Sequence, residues 1–387
     1  QEETLIVTED EDEEEEEVLS VDVSFEDIMK TVIFLLTSWM MSMVSEFIGL
    51  PCLVGEIVTG FILGPPLLDF VAFPEAMALL GSFGLIGLLL DSGINLDIAQ
   101  LRETGSRAVA LAFVGTILAL GVGLGMGYAS YTYYQRDNIG DMDMDTTSAA
   151  AEEGDDDNDD GNEWFRSSFA VGAAFAPSSF GVASQVLSKG EILNTPMGQV
   201  IVAASVTDDI LGLILLSIME VLVMTNPRVV DYIIPFLSSF GYLIVLGYVG
   251  ITYFPKWIEQ YVLPRFANKQ SRDFVGFSLL FILLAFYLPL MYYSGASYLT
   301  GAFLAGLSFS QIKSVHTQYL KSGPHLKIWL MRIFFSATIG FQVPVQYFTN
   351  GNVLNWGFLY VLPVLAKLPL GLMVPRITRE LPDDFPY

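Results

Sequence analysis

Stretches of about 20 apolar residues recur along this chain, each long enough to cross a hydrocarbon core about 30 Å thick as a helix. Eleven can be marked, over residues 28–50, 51–68, 77–96, 106–131, 165–188, 192–225, 230–254, 273–293, 295–311, 328–349 and 353–377. The second and ninth are short and Gly-rich, which suggests tilted or half-buried elements. Segments such as Arg107–Tyr128 and Phe274–Leu290 are apolar on every side, whereas a surface helix of a soluble protein keeps a polar face. The pattern predicts an all-α polytopic membrane protein.

Composition agrees once its charges are located. The chain of 387 residues carries a formal charge of −25, yet 52% of it is hydrophobic. Residues 1–27 hold 14 acidic side chains and residues 137–163 hold 12, with no Lys or Arg in either stretch. What remains has 17 acids and 18 bases, a nearly neutral apolar body. Both acidic stretches have too little apolar surface to offset the entropy of ordering, and read as a disordered tail and a solvated loop. A functional alternative is a cation-attracting antechamber at the outer mouth. Nucleic acid is excluded as a partner, since phosphates are bound by concentrated Lys and Arg. A single cysteine, Cys52, rules out an intrachain disulfide or a zinc framework.

Positive loops stay cytoplasmic. With the N-terminus outside, 13 Lys and Arg residues fall on the cytoplasmic side and only Lys30, Arg136, Arg166 and Arg228 outside. The same assignment puts both acidic stretches on the non-cytoplasmic face and the C-terminus inside. Which membrane is involved, plasma or organelle, is left open by the sequence.

Ionisable residues within a span cost about 2.5–3.5 kcal/mol each on insertion scales, which makes them functional candidates. They are Glu46, Glu56, Asp91, Asp208, Asp209, Glu220 and Lys367. Glu46 and Glu220 lie near span ends and read as structural. Asp208 and Asp209 sit mid-span, and adjacent helical residues are turned by about 100° from each other. One can therefore face a counter-charge while the other faces a cavity. Lys367 is the only base buried in a span and is the natural partner. Just upstream, Pro177 removes a backbone donor and Gly181 follows, with Ser178 and Ser179 between them able to meet freed backbone groups or an ion. Irregular backbone at membrane depth is tolerated only where protein or a water-filled cavity covers it, so this is a candidate broken helix at a binding site. Gly121, Gly123, Gly125 and Gly127 form two overlapping Gly-x-x-x-Gly pairs, the signature of a close helix contact.

These residues resemble the monovalent cation:proton antiporter-2 family, with its sodium/proton exchanger domain, over about residues 30–378. The resemblance rests on Leu50-Pro-Cys-Leu-Val-Gly-Glu-Ile-Val-Thr-Gly-Phe-Ile-Leu-Gly-Pro, the Ser178-Ser179 break, Leu193-Asn-Thr-Pro-Met-Gly-Gln and Thr207-Asp208-Asp209. Gly301-Ala-Phe-Leu-Ala-Gly-Leu, Phe334-Phe-Ser-Ala-Thr-Ile-Gly-Phe-Gln-Val and the Lys367 segment complete it in the family's order. It implies an inverted-repeat fold with a broken helix at the midplane. It also implies a cation/proton site of Asp208, Asp209, Thr207, Ser178 and Ser179, in which Asp209 holds the ion or proton and Asp208 pairs with Lys367. Asp208 matches the position that is Asp in electrogenic sodium exchangers. Glu56 and Asp91 are accessory candidates; Asp91 is either a second titratable group or a hydrogen bond to a neighbouring helix. Phe180 stands where the family has proline.

The implied function is monovalent cation:proton antiport, sodium/proton exchange by alternating access. Alternatives are potassium/proton antiport or a cation channel or symporter of related fold. No cofactor is expected beyond the transported H+ and Na+ or K+, and a homodimer in the lipid bilayer is implied. Residues 28–96 and 273–349 would form the dimerisation scaffold, 106–225 the first core repeat, 230–254 a linker helix and 353–377 the first helix of the second repeat. The family's second broken helix and final span are expected to be missing, as in a fragment of something longer, with 378–387 a tail. An intramembrane aspartyl protease is excluded because its two carboxylates must meet face to face from separate helices. A rhomboid-type serine protease fails as well, since His316 and His325 lie in a basic loop.

Overall fold

The structure, a computed structural model, describes residues 24–96, 98–141, 160–178, 183, 186–187, 190, 192, 195–222, 229–266, 268–312, 315–316, 319, 333–349 and 351–373. Most of both acidic stretches, together with Ser179 and Phe180, lies outside the described residues. The described residues are helical, joined by short turns, and seven helices are long and apolar enough to cross a membrane.

Helix α1, Phe25–Ile48, starts where the Ser24 hydroxyl accepts from the Glu26 N–H and Asp27 reaches back to the Ser24 N–H, a capping box. It stops at Gly49, whose φ of 92° suits the left-handed cap. Pro51 leads into the short α2, Cys52–Leu63, and Pro74 opens α3, Pro74–Ile94. Then come α4, Ile98–Asp141, α5, Asp160–Phe175, and α6, Pro196–Leu222. They are followed by α7, Val229–Thr252, α8, Lys269–Tyr293, α9, Tyr298–Phe309, α10, Phe335–Phe341, and α11, Gly351–Leu359.

Three elements differ from the sequence expectation. The 106–131 span is part of a far longer helix of 44 residues, about 66 Å at 1.5 Å per residue. The 165–188 segment ends its helix at Phe175, before Pro177. Beyond α11 the expected single helix over 353–377 is interrupted: short helices Leu362–Leu365 and Leu370–Met373 are joined through turns. Pro363 and Pro369 each remove a backbone donor, and bonds three residues apart, such as Leu370 N–H to Lys367 C=O at 3.1 Å, replace the α-helical ladder.

The inside of this molecule is built for lipid rather than water. On α1, Phe34, Ser38, Ser42 and Ser45 are buried, while Val32, Leu36, Met40, Met43 and Phe47 are exposed. Small polar residues inside and large apolar ones outside are what helix packing in a membrane favours. The Trp39-Met-Met-Ser-Met run follows this rule, with Trp39 and two of its methionines on the outer face.

Packing sorts the helices into two groups. In one, α1 lies on α2, α2 and α3 on α10, and α9 packs between α3, α7 and α8. In the other, α4 is the axis, holding α5, α6 and the short helix Leu362–Leu365. The two are joined mainly where α6 meets α7, and α6 touches α9 only sparsely. A polar knot around three buried serines marks that junction: the Ser239 hydroxyl donates to Ser217 Oγ at 2.8 Å, the Ser297 N–H donates to the same oxygen, and the Ser297 hydroxyl donates to Glu220.

Candidate cation site

Glycine lets α4 and α5 touch. A Cβ on Gly123 would lie 2.4 Å from Gly172 Cα, and one on Gly127 would lie 2.4 Å from Ser168 Cα, whereas Gly121 and Gly125 face open space. Of the two glycine pairs legible in the sequence, one makes the helix contact and the other does not. Helix α5 stops at Phe175, just before Pro177. There the Pro177 ring rests on Gly212, one turn beyond Asp208, where an added Cβ would lie 2.9 Å from Pro177 Cγ.

The Ala176 carbonyl, just past the end of α5, meets Lys367. Its ammonium donates to Ala176 O, to Ser178 Oγ at 2.7 Å and to Asp208 Oδ2 at 2.8 Å. All three donors of the lysine are thus used. The side chains of Lys367 and Asp208 are 17% and 6% exposed, so the ion pair is largely withdrawn from solvent. The interrupted backbone around Lys367 lets the side chain enter between α5 and α6.

The other Asp208 oxygen, Oδ1, accepts from the hydroxyl of Thr116 on α4, a residue the sequence reading did not select. Threonine is common in spans and carries no charge to betray it, and its partner lies 92 residues away in the chain. Beside the pair is a cavity of about 240 Å3 whose wall includes Ala112, Gly115, Ile201, Ser205, Asp208 and Lys367. Ile201, Ser205 and Asp208 share one face of α6 by their spacing. Asp209, half-buried, is on the adjoining face and is not among the lining residues, so the cavity lies on the side of the paired carboxylate rather than its neighbour. Thr207 is buried, and its hydroxyl donates to Ala203 O within its own helix. Ser179 lies outside the described residues.

The accessory candidates belong to the other helix group. Glu56 is fully buried on α2. Asp91, on α3, accepts from Asn95 Nδ2 at 2.9 Å and is hydrogen-bonded to Tyr319. Burial, with Asp91 beside it, pushes the Tyr319 phenol up from its ordinary range. Of the end-of-span acids, Glu220 binds the Ser297 hydroxyl and Glu46 meets the Cys52 thiol.

A multi-pass helical body that holds a lysine–aspartate pair against a helix end, at a depth where charge is costly, is that of an ion-handling membrane transporter. Residues 32–382 match the sodium/hydrogen exchanger transmembrane family, and the chain belongs to it; this is a family of cation/proton antiporters rather than enzymes. The chain is 24% identical over 346 residues to the Na(+)/H(+)-K(+) antiporter GerN of Bacillus cereus, covering 89% of this chain and 78% of that one. It is 20% identical over 350 residues to the K(+)/H(+) antiporter 1 of Saccharomyces cerevisiae, covering 85% of this chain and 36% of that longer protein. Its fold is that of the sodium proton antiporter MjNhaP1 from Methanocaldococcus jannaschii, with a TM-score of 0.63 at 18% identity over 92% of this chain and 79% of that one.

Proposed function

We propose that the chain is the membrane part of a sodium/proton antiporter in which protons and a cation compete for Asp209, while Asp208 is kept in its pair with Lys367. The observation that carries this reading is the Lys367 ammonium bound at once to Asp208 and to the carbonyl of the broken helix. Burial favours a neutral acid and a bound cation favours the carboxylate, so a single buried site can hold either one but not both. Exchange of the two across the membrane needs only that the site open alternately to each side.

The division into two helix groups supports such a motion. In this reading α4–α6 and the Lys367 segment form the moving core, and the helices of 28–96 and 273–349 form the scaffold and the dimer contact, with α7 linking them. Sparse packing between α6 and α9 favours sliding along that boundary. The N-terminus and acidic loop face outward. Potassium/proton exchange is the second reading, favoured by the antiporters of Bacillus cereus and yeast, whose names include K(+). The same site without proton counter-transport would make a channel or symporter.

Asp209→Asn in the full-length protein tests the assignment. Reconstituted in proteoliposomes, wild type should move protons against imposed Na+ and K+ gradients, and the variant should lose that flux. Persistent exchange in Asp209→Asn sinks the role given to this residue, and the ratio of Na+- to K+-driven flux in wild type decides the cation.

A further inference from the structure

Thr116 is 6% exposed and donates its hydroxyl hydrogen to Asp208 Oδ1. A threonine inside a helix ordinarily returns that hydrogen to a carbonyl one turn back. Thr31, Thr37, Thr59 and Thr207 do this here, at 2.8–2.9 Å. Thr116 instead commits its single donor across the α4–α6 contact. Asp208 therefore has each oxygen held by a different part of the chain, Oδ1 by α4 and Oδ2 by the turn that carries Lys367. Two donors on the two oxygens fix the rotation of the carboxylate about its Cβ–Cγ bond. The remaining wall residues from α6, Met197, Ile201, Ala204 and Ser205, bring no charge to it.

We infer that Thr116 is a positioning residue for cation exchange: its hydroxyl fixes the orientation of the Asp208 carboxylate on Lys367, so that the carboxylate does not turn to an ion in the adjoining cavity. This rests on the antiporter reading. Without the donor, Oδ1 is released next to the cavity and becomes a ligand. A cation passing through the cavity then meets a charged oxygen that the wild type keeps turned away, and it binds more tightly and leaves more slowly. Hydrogen bonds to charged groups are strong enough that the change should be about tenfold or more.

The experiment is Na+-driven proton flux in proteoliposomes with full-length wild type, Thr116→Val and Thr116→Ser, each also in an Asp208→Asn background. Thr116→Val should lower KM for Na+ about tenfold and lower kcat with it. Thr116→Ser keeps the donor and should behave as wild type. In the Asp208→Asn background Thr116→Val should add nothing, because residues that act through one contact are not additive. An unchanged KM in Thr116→Val, equal losses in Thr116→Val and Thr116→Ser, or independent effects of the valine and asparagine substitutions would overturn the inference. If Thr116→Val does not reach the membrane, Thr116→Ala removes the same donor without added branching and carries the same expectations. A wild-type protein with no cation-driven proton flux overturns the antiporter reading itself, and the role of Thr116 falls with it.

Discussion

At the scale of single residues, the site is a small set of charges held by uncharged partners. Lys367 carries three bonds, and its removal strands the Asp208 carboxylate and the Ala176 carbonyl together in a largely dry place. Breaking one side of such a pair costs about 3–5 kcal/mol, whereas replacing both sides by apolar groups is far milder. Lys367→Ala should therefore lower the thermal midpoint of the detergent-purified protein strongly, and Lys367→Met combined with Asp208→Leu should recover much of it. A double variant no more stable than Lys367→Ala would mean that the pair is not what holds α6 to the last segment. The charged members were legible in the sequence because a charge within an apolar run has few other reasons to be there. The neutral members were not. Thr116 resembles any other span threonine until α4 and α6 are brought together. Thr207 entered through the family resemblance, and in the structure its hydroxyl donates to Ala203 O within its own helix.

At the scale of elements, what matters is how helix ends are placed. α5 can lie against the α4 backbone because Gly123 and Gly127 have no side chains there, and Pro177 can seat on α6 because Gly212 has none either. Gly212→Val should push the end of α5 away from Asp208, lengthening the reach of Lys367 to Ala176 and Ser178. The expected result is a transporter that inserts and purifies normally with flux reduced by about tenfold or more, since small misplacements of a site cost that much. Flux equal to wild type would show that the seat of Pro177 on α6 is immaterial. The sequence disclosed the break through Pro177 but missed the second irregularity, at Lys367. Pro363 and Pro369 were visible there, yet the run remained apolar throughout, and hydropathy alone reports length rather than continuity. It likewise missed that α4 continues well past the hydrocarbon, because the residues that extend it are polar and fall outside any span criterion.

At the scale of the whole molecule, α4 runs about 66 Å and ends at Asp141, within the second acidic stretch of the sequence. Charge held there acts on ions at a distance set by screening, about 10 Å at 0.1 M salt and 30 Å at 0.01 M. Deleting residues 142–159 should thus weaken apparent cation affinity at 10 mM ionic strength and leave it unchanged near 150 mM; equal affinity at both would make the loop a passive spacer. Two helix groups joined at one seam were only partly readable from the chain, since the division depends on which faces meet. The seam also ties distant parts of the sequence together in time. Asp208 precedes Lys367 by 159 residues, and at ribosomal speeds of about 5–20 residues per second the lysine emerges roughly 8–30 s later. For that interval the growing chain holds an unfinished acid in the bilayer, and Thr116, already made, is the partner that can receive it. The contact between α4 and α6 can thus form before the ion pair does.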